Sequence, residues 1–270
     1  MKLAKALQAM GVALRNLALG GNAAALSLAG DPRRMVHYAS ESLFLHRAMA
    51  DRRGLPQRHV AQVLGDPGEV SVRLGSLNGD GWPRMLSSYT VDLVSLCLLC
   101  RLIEPRVVFE IGTFHGYSSY HLALNTEPDA IVYTLDLPRT GASPALRTTV
   151  MDDAHINGSA GPHGYCFERS SVAHKIRCLD GDSATFDFSP YHQQVDLFFI
   201  DGAHSYDYVR SDSQCALECT RPGGVVAWHD FGRAGVNGVT RRLLELRREG
   251  HELYAVPGGS LAFMVVRDCV

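Results

Sequence analysis

No run in this chain approaches the roughly 18 apolar residues that a membrane-spanning helix needs. There is no long basic run either. With 26 basic and 28 acidic residues in 270, the formal charge is −2, so neither nucleic acid nor a membrane is expected as a partner. Cysteine occurs seven times, an odd number, without the spacing of a disulfide framework. The C-x-x-C at Cys97 and Cys100 lies inside the apolar run Leu93–Ile103, which reads as a core helix with buried thiols rather than a metal or redox motif. Cys215 and Cys219 fall one helical turn apart. Reduced thiols point to the cytoplasm. Lys2 and Lys5 precede an Ala/Leu-rich stretch that imitates a secretion signal, but Arg15 and Asn16 interrupt it. Also missing is the G-x-S-x-G elbow, which argues against a serine hydrolase.

What is present is core-forming material: 46% hydrophobic and 20% charged residues predict a packed protein, not a disordered one. Leu3, Leu7, Met10, Leu14 and Leu17 recur at helical spacing and form one apolar seam, which must bury against its own domain or against a second copy. Residues 32–64 read as helical and 65–83 as a glycine-containing loop. Residues 1–80 are therefore taken as an N-terminal helical region and 81–270 as the domain that carries chemistry.

From Tyr89 onward strand and helix patterns alternate. Strands are expected at 107–111, 130–137, 175–179, 195–200 and 224–228, with helices at 118–125, 205–219 and 239–248. A β-hairpin follows, from 252–256 and 261–266 around Pro257-Gly-Gly-Ser260. This alternation predicts an α/β fold with a mostly parallel, Rossmann-like sheet covered by helices on both faces. The segment 138–171 is long, polar and turn-rich, which suggests a lid over a substrate, with Tyr165 and Phe167 as wall residues.

Ligands in such sheets sit beyond the carboxyl ends of the strands, so the residues there matter most. The first strand ends in Glu110 and runs through Gly112 and Gly116 into a helix. That turn presents free backbone N–H groups at a helix N-terminus. The spacing is E-x-G-x-x-x-G, not the G-x-G-x-x-G of a dinucleotide site. Asp136 ends the second strand, 20 residues past Gly116, where a carboxylate can accept both hydroxyls of a ribose. Gly181-Asp182-Ser183 follows the third strand. The fourth delivers Asp201 and His204, and the fifth His229 and Asp230.

The glycine pattern resembles the first motif of class I S-adenosylmethionine-dependent methyltransferases. Gly116-Tyr117-Ser118 is similar to the catechol and caffeoyl-coenzyme A O-methyltransferase branch, and the likeness runs from about Met85 to Val266. The resemblance implies a seven-stranded sheet closed by the antiparallel hairpin. It implies S-adenosylmethionine held by Glu110, Gly112, Thr113, Gly116, Tyr117, Ser118, Asp136, Asp182, Ser183 and Asp201. Met85–Ser88 stands where related enzymes touch the methionine end of the cofactor, although Ser87 or Ser88 serves equally well as a helix cap.

In the same branch the fourth strand ends in an acid that binds Mg²⁺, with the base three residues later; here these are Asp201 and His204. The fifth strand of those enzymes ends in Asp-Asn, where this chain has His229-Asp230. An imidazole moves metal preference from Mg²⁺ towards Mn²⁺, Fe²⁺ or Zn²⁺. Two readings stay open: a divalent metal on Asp201, His229 and Asp230, or no metal and a histidine acting alone as general base. The expected activity is O-methylation of a small hydroxylated metabolite, by a monomer or a homodimer. The alternatives are an NAD-type Rossmann oxidoreductase and a catalytically inactive S-adenosylmethionine-binding protein.

Overall fold

The computed structural model describes residues 54–75, 87–138, 143–158, 166–233 and 236–267. The seam from Leu3 to Leu17, most of the 32–64 helix, Met85, Tyr165 and the division at residue 80 lie outside them.

Among the described residues seven strands form one sheet: β1 (Val107–Ile111), β2 (Ile131–Asp136), β3 (Ile176–Asp180), β4 (Val195–Ile200), β5 (Thr220–Trp228), β6 (Tyr254–Ala255) and β7 (Ala262–Val265). Their order is β3-β2-β1-β4-β5-β7-β6. Every pair is parallel except those that β7 makes with β5 and β6. The hairpin therefore does not simply append its last strand to the edge. Its second strand is inserted beside β5, and the short β6 becomes the edge, where Ala255 bridges to Gln57.

Among the described residues the α-helices are α1 (Val60–Leu64), α2 (Ser87–Ile103), α3 (Tyr117–Asn125), α4 (Val150–Gly158), α5 (Tyr206–Cys219) and α6 (Asn237–Arg248). All six residues of β4 are buried, as expected of a parallel strand covered on both faces. Its side chains alternate between two cores. Leu197 and Phe199 join Val108, Val225 and Ala227 under Leu96 and Leu99 of α2 and Leu122 of α3. Phe198 and Ile200 join Phe109, Ile111 and Trp228 under Val209 of α5 and Leu243 and Leu246 of α6. Cys97 and Cys100 are fully buried free thiols in α2, and burial pushes the Cys97 thiol up to about 12. Asp196 is structural: its Oδ2 accepts from the backbone N–H groups of Arg106 and Val107, both at 2.8 Å, where β1 begins.

Among the described residues no helix is long and apolar enough to cross a membrane. The chain runs outward from β1 to β3 on one side and from β4 to β5 on the other. The carboxyl edge between β1 and β4 is thus the topological switch point, the place where sheets of this kind bind ligands.

Candidate active site

The glycine turn is built where the sequence places it. Gly112 has φ +101°, and a Cβ there would stand 2.2 Å from the backbone oxygen of Asp201. Only glycine allows β1 and β4 to deliver their ends this close together. Gly116, at φ 71°, forms the N-cap of α3. Asp136 supports the turn from β2: its Oδ2 accepts from the N–H of Phe114 at 2.7 Å and its Oδ1 from Leu137 at 2.8 Å. Phe114 is 42% exposed above it in a left-handed conformation, φ 46°.

Several of the residues proposed to hold the cofactor lie under the turn rather than on its rim. Glu110 is fully buried. Its Oε2 accepts from Thr134 at 2.6 Å and from Ser119. Burial raises its carboxyl to about 7, against the opposing pull of neighbouring serine and threonine hydroxyls. Thr113, Tyr117 and Ser118 are buried too, and the Thr113 hydroxyl meets that of Thr134 at 2.7 Å. After β3, Asp182 accepts from Ala184 N–H through Oδ1, and from Ala145 N–H and the Tyr208 hydroxyl through Oδ2. Ser183 lies beside Asp212, a fully buried acid that desolvation raises to about 7.

The register Ile200↔Trp228 sets Asp201 beside His229, so the ends of β4 and β5 meet. His229 Nδ1 is 3.0 Å from Asp201 Oδ1 and 3.1 Å from Asp230 Oδ1. One donor atom from each of Asp201, His229 and Asp230 lies within 4.8 Å of the others. The two separations from His229, about 3 Å each, match the edge of an octahedron with bonds of roughly 2.1 Å. The residues therefore fit a divalent cation with one nitrogen and two oxygen ligands. Arg233 also reaches this cluster, its guanidinium 2.5 Å from Asp230 Oδ1. Asp230 is itself left-handed, φ 65°, a conformation that costs a non-glycine residue about 1 kcal/mol or more.

His204 is held at both ring nitrogens, Nδ1 by Asp152 at 2.6 Å and Nε2 by Asp230 at 2.8 Å. Burial opposes its charge, but the two carboxylates prevail and lift it to about 10. His229 is likewise held well above its ordinary range: burial works against the charge and Asp201 and Asp230 overcome it. For Asp230 burial also works against ionisation, yet His229 and His204 keep it well below the carboxylate range.

The structure thus gathers Asp201, His204, His229 and Asp230 into one cluster next to the Gly112 turn. Three further members were not singled out in the sequence: Asp92, Asp152 and Arg233. Asp92 had a readable signal, an acid beside the apolar run of this helix. Asp152 had another, since Thr149-x-x-Asp152 has the form of a helix-capping box.

Among curated proteins nothing matches the chain. Solved structures do. Cofactor-bound Rv0187 from MTB is 22% identical, with 70% of this chain and 85% of that chain covered and a TM-score of 0.48. The O-methyltransferase TomG from Streptomyces achromogenes, involved in tomaymycin synthesis and solved with SAM, is 24% identical over 83% and 89% of the two chains, TM-score 0.45. An O-methyltransferase from Bacillus cereus in complex with SAH is 20% identical over 67% and 82%, TM-score 0.47. Residues 109–231 match the family of the methyltransferase domain, a segment that holds the cofactor, base and metal candidates from Glu110 to Asp230 but not Met85–Ser88, and over it the methyltransferase resemblance is borne out.

Proposed function

We propose that this protein transfers a methyl group from S-adenosylmethionine to a hydroxyl oxygen of a small molecule, with a divalent cation beside the acceptor. The observation that carries the reading is the meeting of the glycine turn with the Asp201–His229–Asp230 cluster at the β1–β4 switch point. The Gly112–Gly116 turn supplies backbone N–H groups for the cofactor, with Asp136 placed for a ribose. Asp201, His229 and Asp230 would hold the cation, which lowers the pKa of an acceptor hydroxyl and fixes its direction.

His204 is the proton acceptor in this scheme. With Asp152 and Asp230 on its two nitrogens the free ring is protonated. It acts as base only after Asp230 is drawn away by the entering acceptor and cation and the Nε2 proton leaves to solvent. Nε2 then takes the hydroxyl proton while Asp152 keeps Nδ1–H. Alignment of oxygen, methyl carbon and sulfur supplies the rest of the acceleration. Helix α4 places Asp152 and His155 over the same region, with the His155 ring 5.4 Å from that of Phe114, which supports its reading as a cover for the acceptor. The two-copy arrangement and a cytoplasmic location belong to the same proposal and rest on the sequence alone.

Calorimetric titration with S-adenosylhomocysteine, with NAD⁺ as the control, tests the cofactor. Micromolar binding of the first and none of the second is expected. The reverse would reassign Asp136 to a dinucleotide ribose, and the methyltransferase reading would fall. Acceptors are then screened with and without chelator. With one in hand, His204→Ala is expected to lower turnover by about 10²- to 10⁴-fold at saturating substrate, and unchanged turnover would remove His204 as the base.

A further inference from the structure

Asp92 lies in α2, far in sequence from either strand end, and is almost fully buried. Its Oδ1 accepts from the backbone N–H of Ser260 at 2.7 Å and of Leu261 at 2.9 Å. Its Oδ2 accepts from the Ser260 hydroxyl at 2.7 Å and lies 3.2 Å from His229 Nε2. The β6–β7 turn holds the carboxylate in this orientation. Gly259 approaches so closely that a Cβ there would stand 2.0 Å from Asp92 Oδ1. One carboxylate oxygen is therefore clamped by two backbone donors, and the other faces the ring of His229.

We infer that Asp92 is a positioning residue that keeps a proton on Nε2 of His229, so that when a cation replaces the Nδ1 proton the Nδ1 lone pair faces the position shared with Asp201 and Asp230. The physical ground is the asymmetry of the imidazole. With no cation both nitrogens of His229 face carboxylates and the ring is held protonated. Once a cation takes Nδ1 and that proton leaves to solvent, one hydrogen remains, and the partner of the other nitrogen decides where it stays. A carboxylate accepts and does not donate, so in the cation-bound ring the hydrogen stays on the Nε2 that faces Asp92, while the Nδ1 that faces Asp201 and Asp230 exchanges its hydrogen for the cation. Ser260 Oγ, 3.5 Å from Nε2, already has Asp92 as its acceptor and leaves this arrangement intact. A carboxylate behind a ligating histidine also makes the ring more basic towards a metal.

The inference rests on the reading of the cluster as a cation site, and the test separates the two. Asp92→Asn keeps an oxygen for the N–H groups of Ser260 and Leu261, but turns an NH₂ donor towards Nε2. It therefore favours the opposite tautomer, with a hydrogen on Nδ1 where the cation should bind. Co²⁺ is titrated into chelator-treated wild type, Asp92→Asn and His229→Ala, with affinity and the visible absorption of the bound ion followed together.

The expected result is binding by the wild type, loss in His229→Ala, and affinity roughly 10- to 100-fold weaker in Asp92→Asn. If Asp92→Asn binds like the wild type while His229→Ala does not, the tautomer assignment is wrong and the cation site stands. If the wild type binds no Co²⁺, or His229→Ala binds it equally well, the cation role of His229 is wrong and the inference goes with it. A second measurement does not depend on the variants folding. Nitrogen-15 NMR of the Zn²⁺-loaded wild type should show His229 with a hydrogen on Nε2 and the metal on Nδ1. The opposite arrangement would overturn the proposal.

Discussion

Glu110 and Gly112 stand two positions apart and shape the same turn in different ways. The glycine was readable because a turn of this kind needs a left-handed backbone, and the close approach of Asp201 adds a second reason that only the packed sheet reveals. Glu110 was readable as an acid at a strand end, but its depth was not. It is fully buried, with its carboxyl raised from 4.5 to about 7 by desolvation. Below pH 4.5 it is protonated whether the chain is folded or not. As pH rises from 4.5 towards 7 the unfolded chain releases this proton and the folded protein keeps it, so stability falls across that window. A raised value of this size corresponds to at most about 3 kcal/mol. Glu110→Gln retains an acceptor for Thr134 and Ser119 and cannot ionise. Urea denaturation at pH 5 and pH 7.5 should show a smaller loss of stability for the variant than for the wild type, and an equal loss would place the titration elsewhere.

Helix α4 shows what an element adds beyond its residues. Its first turn is capped by Thr149, whose N–H and hydroxyl both bond Asp152 Oδ2, at 2.7 and 2.8 Å, while Asp152 N–H returns to Thr149 Oγ1 at 3.2 Å. The other oxygen of Asp152 accepts from the backbone N–H and the Nδ1 of His204. One carboxylate therefore starts the helix and fastens it to the end of β4. Thr149→Ala removes the capping hydroxyl and should cost about 1 kcal/mol, concentrated in this helix. Hydrogen exchange across residues 143–158 is expected to quicken while exchange in β1 and β4 stays as it was. Uniform acceleration would mean that α4 unfolds only with the whole domain. The sequence pattern was read as a cover, and the helix inside it was not foreseen, since its apolar positions are few and its anchors are polar.

At the scale of the whole molecule, the sheet separates the two large hydrophobic cores of the described residues. Leu99 packs on one face and Leu243 on the other, both fully buried. Each replacement by alanine should cost about 2–5 kcal/mol. Because the two side chains share no cluster, the double variant should lose the sum within about 0.5 kcal/mol, and a larger coupling in urea titrations would show that the sheet transmits strain between its faces. The sequence alone determined the strands β1 and β4 to the residue, the helices that follow them, the glycine turn, and the acid and histidine at each strand end. These are local matters: period, turn chemistry and the last residue of a buried run are written within a dozen neighbouring positions. Tertiary structure alone decided that β7 enters the sheet beside β5, that Glu110 lies under the turn, and which carboxylates orient the histidines. Asp152 meets His204 across 52 positions, and Asp92 clamps the Ser260 turn across 168. Contacts of that range leave no periodic trace in the chain, because they exist only once the sheet has brought distant segments to one edge.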